Sequence, residues 1–202
     1  MQTAVLVLAA GSSSRMGQSK QLLEVNGVPL LVHSVKEALA VTPNVYVVLG
    51  SGFEQHQLAL HDLPVTIVEN KSWQKGMGSS LKLGIAHLLA ATPMIDAVII
   101  MVCDQPKLLT AHLQALIAKA SGTDKTIVAS SYARTAGVPA LFKKEQFTKL
   151  LKTDDDAGAR KVIRQNPEAV ATVDFPDGHV DLDTPEDYRQ FIIENFHNPD
   201  NP

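Results

Sequence analysis

The segment Leu8-Ala9-Ala10-Gly11-Ser12-Ser13-Ser14-Arg15-Met16-Gly17-Gln18-Ser19-Lys20 joins a run of small residues to two cations. Such a loop can curl its backbone N–H groups around phosphate oxygens while Arg15 and Lys20 neutralise their charge. It is not a Walker A loop, because Gln18 stands where that motif needs lysine. It is not G-x-G-x-x-G either, because Ser13 replaces the second glycine. Both departures count against P-loop NTPases and dinucleotide oxidoreductases. Nucleoside triphosphate binding is the first expectation, and an ordinary strand–loop with surface cations is the alternative.

Carboxylates supply the complementary chemistry. Asp104 follows the apolar run Val98–Cys103, where open α/β sheets hold their ligands. Mg²⁺ takes oxygen ligands, usually one or two carboxylates plus substrate phosphates. Asp181 and Asp183 lie two apart just before a helix pattern, and in an extended segment they project to the same side. One can complete a Mg²⁺ site with Asp104 while the other caps the helix; pure turn and capping roles are the alternative. Ser79 and Ser80, after Gly76-Met77-Gly78, offer hydroxyls to a base or phosphate, or simply start a helix. Arg160, in Gly158-Ala159-Arg160, can hold a phosphate bidentately or face solvent. The seven histidines show no metal-ligand spacing and read as structural or surface residues; no serine sits in G-x-S-x-G; Cys103 reads as a small core residue.

Positioning these groups requires a scaffold of alternating elements. Strands are expected at Ala4–Leu8, Val45–Leu49, Val65–Val68, Ala97–Val102 and Thr126–Ala129, mostly Val- and Ile-rich and apolar on consecutive positions. Helices are expected at Leu30–Leu39, Glu54–Leu60, Ser79–Leu89 and Ala111–Ala120. This order predicts a three-layer α/β/α sandwich around a Rossmann-like, mostly parallel sheet. Beyond Ser130 the rhythm changes. Gly137-Val138-Pro139-Ala140-Leu141-Phe142 reads as a turn entering an edge strand, Lys144–Leu151 and Gly158–Arg164 as short helices, and Val170–Val173 as a late strand. Thr184–Phe196 reads as a final helix with Thr184 as N-cap, Pro185 in its first position and Glu186 and Asp187 in its first turn. One domain over residues 1–196 and a frayed tail at 197–202 are expected.

Bulk properties narrow the partners. The 202 residues carry a formal charge of −3, with 45% hydrophobic and 19% charged residues. That balance argues against a general nucleic-acid or membrane surface. The lone cysteine and the absence of a secretory leader point to the cytoplasm.

Five separated segments together resemble the MobA-like nucleotidyltransferases, and among them the molybdenum cofactor cytidylyltransferases. The first is L-A-A/G-G-x-x-x-R-M-G-x-x-K, matched by Leu8, Ala9, Ala10, Gly11, Arg15, Met16, Gly17 and Lys20. The others are Asp104-Gln105-Pro106, the run from Asn70 through Trp73 to Leu81, Gly137-Val138-Pro139 with Phe142, and Asp181-Leu182-Asp183-Thr184-Pro185-Glu186-Asp187. A further segment, Gly158-Ala159-Arg160, departs from its pattern because Asp155 stands where glycine is expected. The resemblance implies a nucleotide-diphospho-sugar-transferase-like fold and a Mg²⁺-dependent transfer of CMP from CTP to molybdenum-bound molybdopterin. It implies nucleotide binding by Leu8 to Ser13, Arg15, Lys20, Ser79, Ser80 and Asp104, with Lys20, Arg15 and Asp104 catalytic. It implies metal ligation by Asp104 with Asp181 in preference to Asp183, and acceptor binding by Gly137, Pro139 and Arg160. Ala10, rather than glycine, favours CTP by the same resemblance. A molybdoenzyme is a candidate partner by the same resemblance, with direct receipt of the product left open. Alternatives are GTP or another triphosphate with a different phosphorylated acceptor, and a non-catalytic nucleotide sensor.

Overall fold

The computed structural model describes residues 1–196; the expected frayed tail lies outside the described residues. A seven-stranded sheet forms the centre, in the order β5-β4-β1-β6-β8-β7-β9. Its members are β1 (Thr3–Ala9), β4 (Val45–Leu49), β5 (Thr66–Glu69), β6 (Ala97–Val102), β7 (Ile127–Tyr132), β8 (Thr135–Lys143) and β9 (Val170–Asp174). A separate two-stranded hairpin pairs β2 (Glu24–Val25) with β3 (Val28–Pro29). Asn26 and Gly27 both take positive φ there, the conformation a two-residue hairpin turn requires.

The strand β1 shows why the sheet is covered on both faces. Every residue from Thr3 to Ala9 is buried, and the side chains alternate between two cores. Leu6 and Leu8 meet Leu81, Ile85 and Leu88 of α3 (Met77–Ala91). Val5 and Val7 share the opposite core with Leu31 and Val35 of α1 (Leu30–Leu39) and with Leu113 and Leu116 of α4 (Thr110–Ser121). The short helices α5 (Phe147–Leu151) and α6 (Ala159–Gln165) join the α3 face, while α2 (Phe53–Ala59) runs beside α1. The result is the expected three-layer α/β/α sandwich with a mostly parallel sheet.

One expectation needs correction. Phe142 and its neighbours belong to an interior strand: β8 lies between β6 and β7 and runs antiparallel to both. The turn falls earlier, at Ala133 and Arg134, which adopt positive φ without glycine. Gly137 and Pro139 suggested a turn and an edge because proline cannot donate to a ladder. Here the register jumps from Ala129↔Ala140 to Ser130↔Gly137, so Val138 and Pro139 occupy a bulge where no ladder donor is needed.

The last helix, α7 (Pro185–Phe196), starts as its sequence predicts. Thr184 Oγ1 accepts from the Asp187 N–H at 3.2 Å, and Asp187 Oδ2 accepts from the Thr184 N–H at 2.8 Å. This reciprocal cap satisfies two terminal donors. Leu182 and Phe191 bury with Met16, Leu23 and Leu30, fastening the C-terminal segment against the loop that follows β1. Among the described residues, no helix is long and apolar enough to cross a membrane.

Candidate active site

Chain order reverses at β1: β4 and β5 extend to one side and β6 to the other. A crevice therefore opens beyond the carboxyl ends of β1 and β6, the usual ligand position in such sheets. Residues 10–19 leave the end of β1 there, and Asp104 follows the end of β6.

A buried glutamine braces the loop. Gln21, 1% exposed, donates from Nε2 to the carbonyls of Ala9 at 3.2 Å and Gly11 at 2.8 Å. Its Oε1 accepts from Ser13 at 2.9 Å and Ser19 at 3.0 Å. Ser13 Oγ in turn accepts from the Lys20 N–H at 3.1 Å. Both ends of the loop are thus tied to one amide, and Met16 is buried as an anchor. His56 supports the outer side, with Nε2 2.6 Å from Ser19 Oγ; burial lowers its pKa. Neither Gln21 nor His56 carries a motif signal, because their importance comes from burial beneath this loop. Gly11, Ser12, Ser13 and His56 line a polar cavity of about 390 Å³ on that side.

The charged groups converge. Lys20 Nζ lies 2.5 Å from Asp104 Oδ2 and 3.0 Å from Asp183 Oδ1. Arg15 Nη2 lies 2.8 Å from Asp183 Oδ2. Burial opposes the Lys20 charge, but Asp104 and Asp183 outweigh it and raise the pKa above the ordinary lysine value. Burial likewise opposes the Asp183 charge, and Lys20 and Arg15 outweigh it, lowering that pKa. Among the described residues no cation pairs with Asp181. Burial, then the charges of Asp104 and Asp183, push it up to about 6. The Leu182 N–H donates to the Asp104 carbonyl at 3.1 Å, which joins the two acidic segments through their backbones. Neither aspartate caps α7 with its side chain; Thr184 does that, leaving both carboxylates facing the crevice groups just named. Among the described residues, no group of three or more His, Cys, Asp or Glu side chains could by itself hold a metal.

Two concavities adjoin one another, sharing Leu8 and Met77, and one of them reaches this cluster at Asp104 and Asp181. One, about 290 Å³, is lined by Ala10, Gly11, Ser12, Trp73 and Ser80. Ser79 does not line it. Its hydroxyl donates to the Gly76 carbonyl at 2.8 Å and its N–H to the Asp155 carbonyl at 3.1 Å. Asn70 Nδ2 donates to both serine hydroxyls at 2.9 Å, orienting Ser80. The segment around Asp155 is pressed against this helix start: a Cβ on Gly78 would lie 1.9 Å from the Asp154 carbonyl oxygen. The other concavity, about 250 Å³, is lined by Asp104, Gln105, Tyr132, Val138, Arg160 and Asp181. Gly137 packs behind it against Tyr132, and the Pro139 carbonyl points away, accepting from Ser130 Oγ at 2.5 Å. Ala9 also lies off the crevice, in the core on the α1 side. Cys103 is buried, and burial pushes its thiol up to about 12, unsuited to nucleophilic attack.

Residues 5–170 match the model of the MobA-like NTP transferase domain. The chain is 31% identical over 193 residues to the purine catabolism protein PucB of Bacillus subtilis, covering 90% of this chain and 91% of that protein. It is 37% identical over 117 residues to a probable molybdenum cofactor guanylyltransferase of Synechococcus elongatus, covering 57% of each. Among solved structures, Rv0371c of Mycobacterium tuberculosis superposes with a TM-score of 0.81 at 26% identity, covering 95% of this chain and 98% of that one. A manganese complex of Rv0371c superposes with a TM-score of 0.75 at 24% identity, covering 94% and 97%. The sheet is that of the nucleotide-diphospho-sugar transferase fold. With the family model spanning most of the sheet together with the Gly11–Lys20 loop and Asp104, this chain belongs to the MobA-like NTP transferase family and is a nucleotidyltransferase.

Proposed function

We propose that the chain transfers CMP from CTP to the terminal phosphate of molybdenum-bound molybdopterin and releases pyrophosphate, with Mg²⁺ as its divalent ion. The observation that carries this reading is the bridge from Lys20 to Asp104 and Asp183, beside Asp181, at the sheet's switch point. The nucleophile is already an anionic phosphate, so no strong base is required. The barrier is electrostatic, an anion approaching a polyanion, and alignment with charge neutralisation lowers it.

The residues present fit a divalent cation. Among the described residues Asp104 Oδ1 is buried without a hydrogen-bond partner, and at neighbouring Asp181 burial, then the charges of Asp104 and Asp183, disfavour the ionised form. An uncompensated oxygen beside surplus charge suits a hard cation held by one or two carboxylates and substrate phosphates. Asp104 and Asp181 would hold it, and when bound it would neutralise charge at the α-phosphate. Lys20 and Arg15 would balance the β- and γ-phosphates and the departing pyrophosphate. The cleft beside Ala10 and Ser80 would take the base. The cavity beside Arg160 would take the acceptor, whose phosphate Arg160 would bind.

CTP rests on Ala10, by family resemblance. A second reading, GTP as donor, is favoured by the 37% identity to a probable molybdenum cofactor guanylyltransferase. Pyrophosphate release from CTP, GTP, ATP and UTP, each with Mg²⁺ and with or without molybdopterin, separates them. Release only with CTP and molybdopterin supports the reading, and release only with GTP replaces the donor. Tight CTP binding with no release for any acceptor would mean a sensor.

A further inference from the structure

We infer that Tyr132 is a positioning residue for Arg160, holding its guanidinium toward an anionic group of the acceptor without neutralising it. This rests on the acceptor reading of the cavity given above. Arg160 is the one cation among the described residues lining that cavity, and it shares the space with Asp104, Asp156 and Asp181. A carboxylate tether would cancel the charge an incoming anion needs. Arg160 makes no ion pair among the described residues. Instead Nη2 donates to the Tyr132 hydroxyl at 2.7 Å, and the guanidinium carbon lies 5.7 Å from the phenol ring centre.

The hydroxyl is polarised for this task. It has one proton, donated to the Val138 carbonyl at 3.1 Å, so its lone pairs face Arg160. The ring itself is clamped. Phe175 meets it edge-on at 6.2 Å, and two glycines make room for it. A Cβ on Gly137 would lie 2.4 Å from the Tyr132 hydroxyl, and one on Gly178 would lie 2.5 Å from Cδ1. Arg160 is exposed at the start of α6, where a free arginine loses several rotamers on binding. A fixed neutral partner removes part of that cost before the acceptor arrives.

Tyr132→Phe preserves the ring and deletes the tether. With CTP and molybdopterin, the acceptor KM is expected to rise about tenfold while the CTP KM stays unchanged, and Tm falls slightly because the Val138 carbonyl loses its Tyr132 donor. Arg160→Ala should raise the acceptor KM at least as far, and the double variant should be no worse than Arg160→Ala alone. Independently of any acceptor, the heteronuclear NOE of the Arg160 Nε–Hε signal should fall in Tyr132→Phe to the value of Arg164, which is exposed and makes no ion pair among the described residues. An unchanged NOE overturns the inference. So does an unchanged acceptor KM in Tyr132→Phe when Arg160→Ala raises it, or an equal rise in both KM values. If Arg160→Ala leaves the acceptor KM unchanged, the acceptor reading of the cavity fails and the inference with it.

Discussion

Lys20 Nζ sits 2.5 Å from Asp104 Oδ2 and also reaches Asp183, so one ammonium serves as the internal counter-ion of two acidic segments. In the proposed reaction the same ammonium faces phosphates. Lys20→Ala should lower turnover on the order of 10²-fold or more, as does loss of one oxyanion donor. It should also tighten Mn²⁺ binding by the nucleotide-free protein, because the carboxylates lose their resident cation. Isothermal titration with Mn²⁺ reads the second effect; weaker or equal affinity would show that Lys20 and the metal do not compete.

Asp181 predicts a pH dependence with a definite sign. Its pKa rises from 3.8 to about 6 on folding, so between those values the folded state binds a proton that the unfolded chain has released. Its contribution to stability therefore declines as pH rises through that window. Asp181→Asn should raise Tm in metal-free buffer at pH 8 and leave it nearly unchanged at pH 4. A Tm gain of equal size at both values would assign the effect to packing instead.

Gly84 of α3 faces β1 closely. A Cβ there would meet Leu6 Cδ1 at 2.6 Å and Val48 Cγ2 at 2.9 Å. Helix propensity alone favours Gly84→Ala by roughly 1 kcal/mol. Overpacking a dense core costs about 1–3 kcal/mol. The substitution should therefore destabilise the protein in urea unfolding, and a higher midpoint would mean the helix can shift away from the sheet.

The cap at Thr184 joins stability to site geometry. Thr184→Ala removes the acceptor for the Asp187 N–H, and Asp187 also accepts from the Asp183 N–H at 3.2 Å. Stability should fall by about 1 kcal/mol. Thr184→Ser should restore it, and failure of that rescue would assign the loss to packing of the threonine methyl.

What the chain determined by itself is local. The all-apolar run at β1 announced a strand covered on both faces, Thr184 and Asp187 announced a helix start, and the small residues from Gly11 to Lys20 announced a loop carrying two cations. Periodicity and capping act over a few residues, so they are legible in one dimension. Folding in space decided the rest. It tied Lys20 to both Asp104 and Asp183, and left Asp181 near Asp104 with no cation paired to it among the described residues. It also set Ser80 but not Ser79 on the cleft, and put β8 inside the sheet around a bulge at Pro139. Strand order, burial and the path of a hairpin turned by Ala133 and Arg134 fix these relationships between residues far apart in the chain, and no local pattern encodes them.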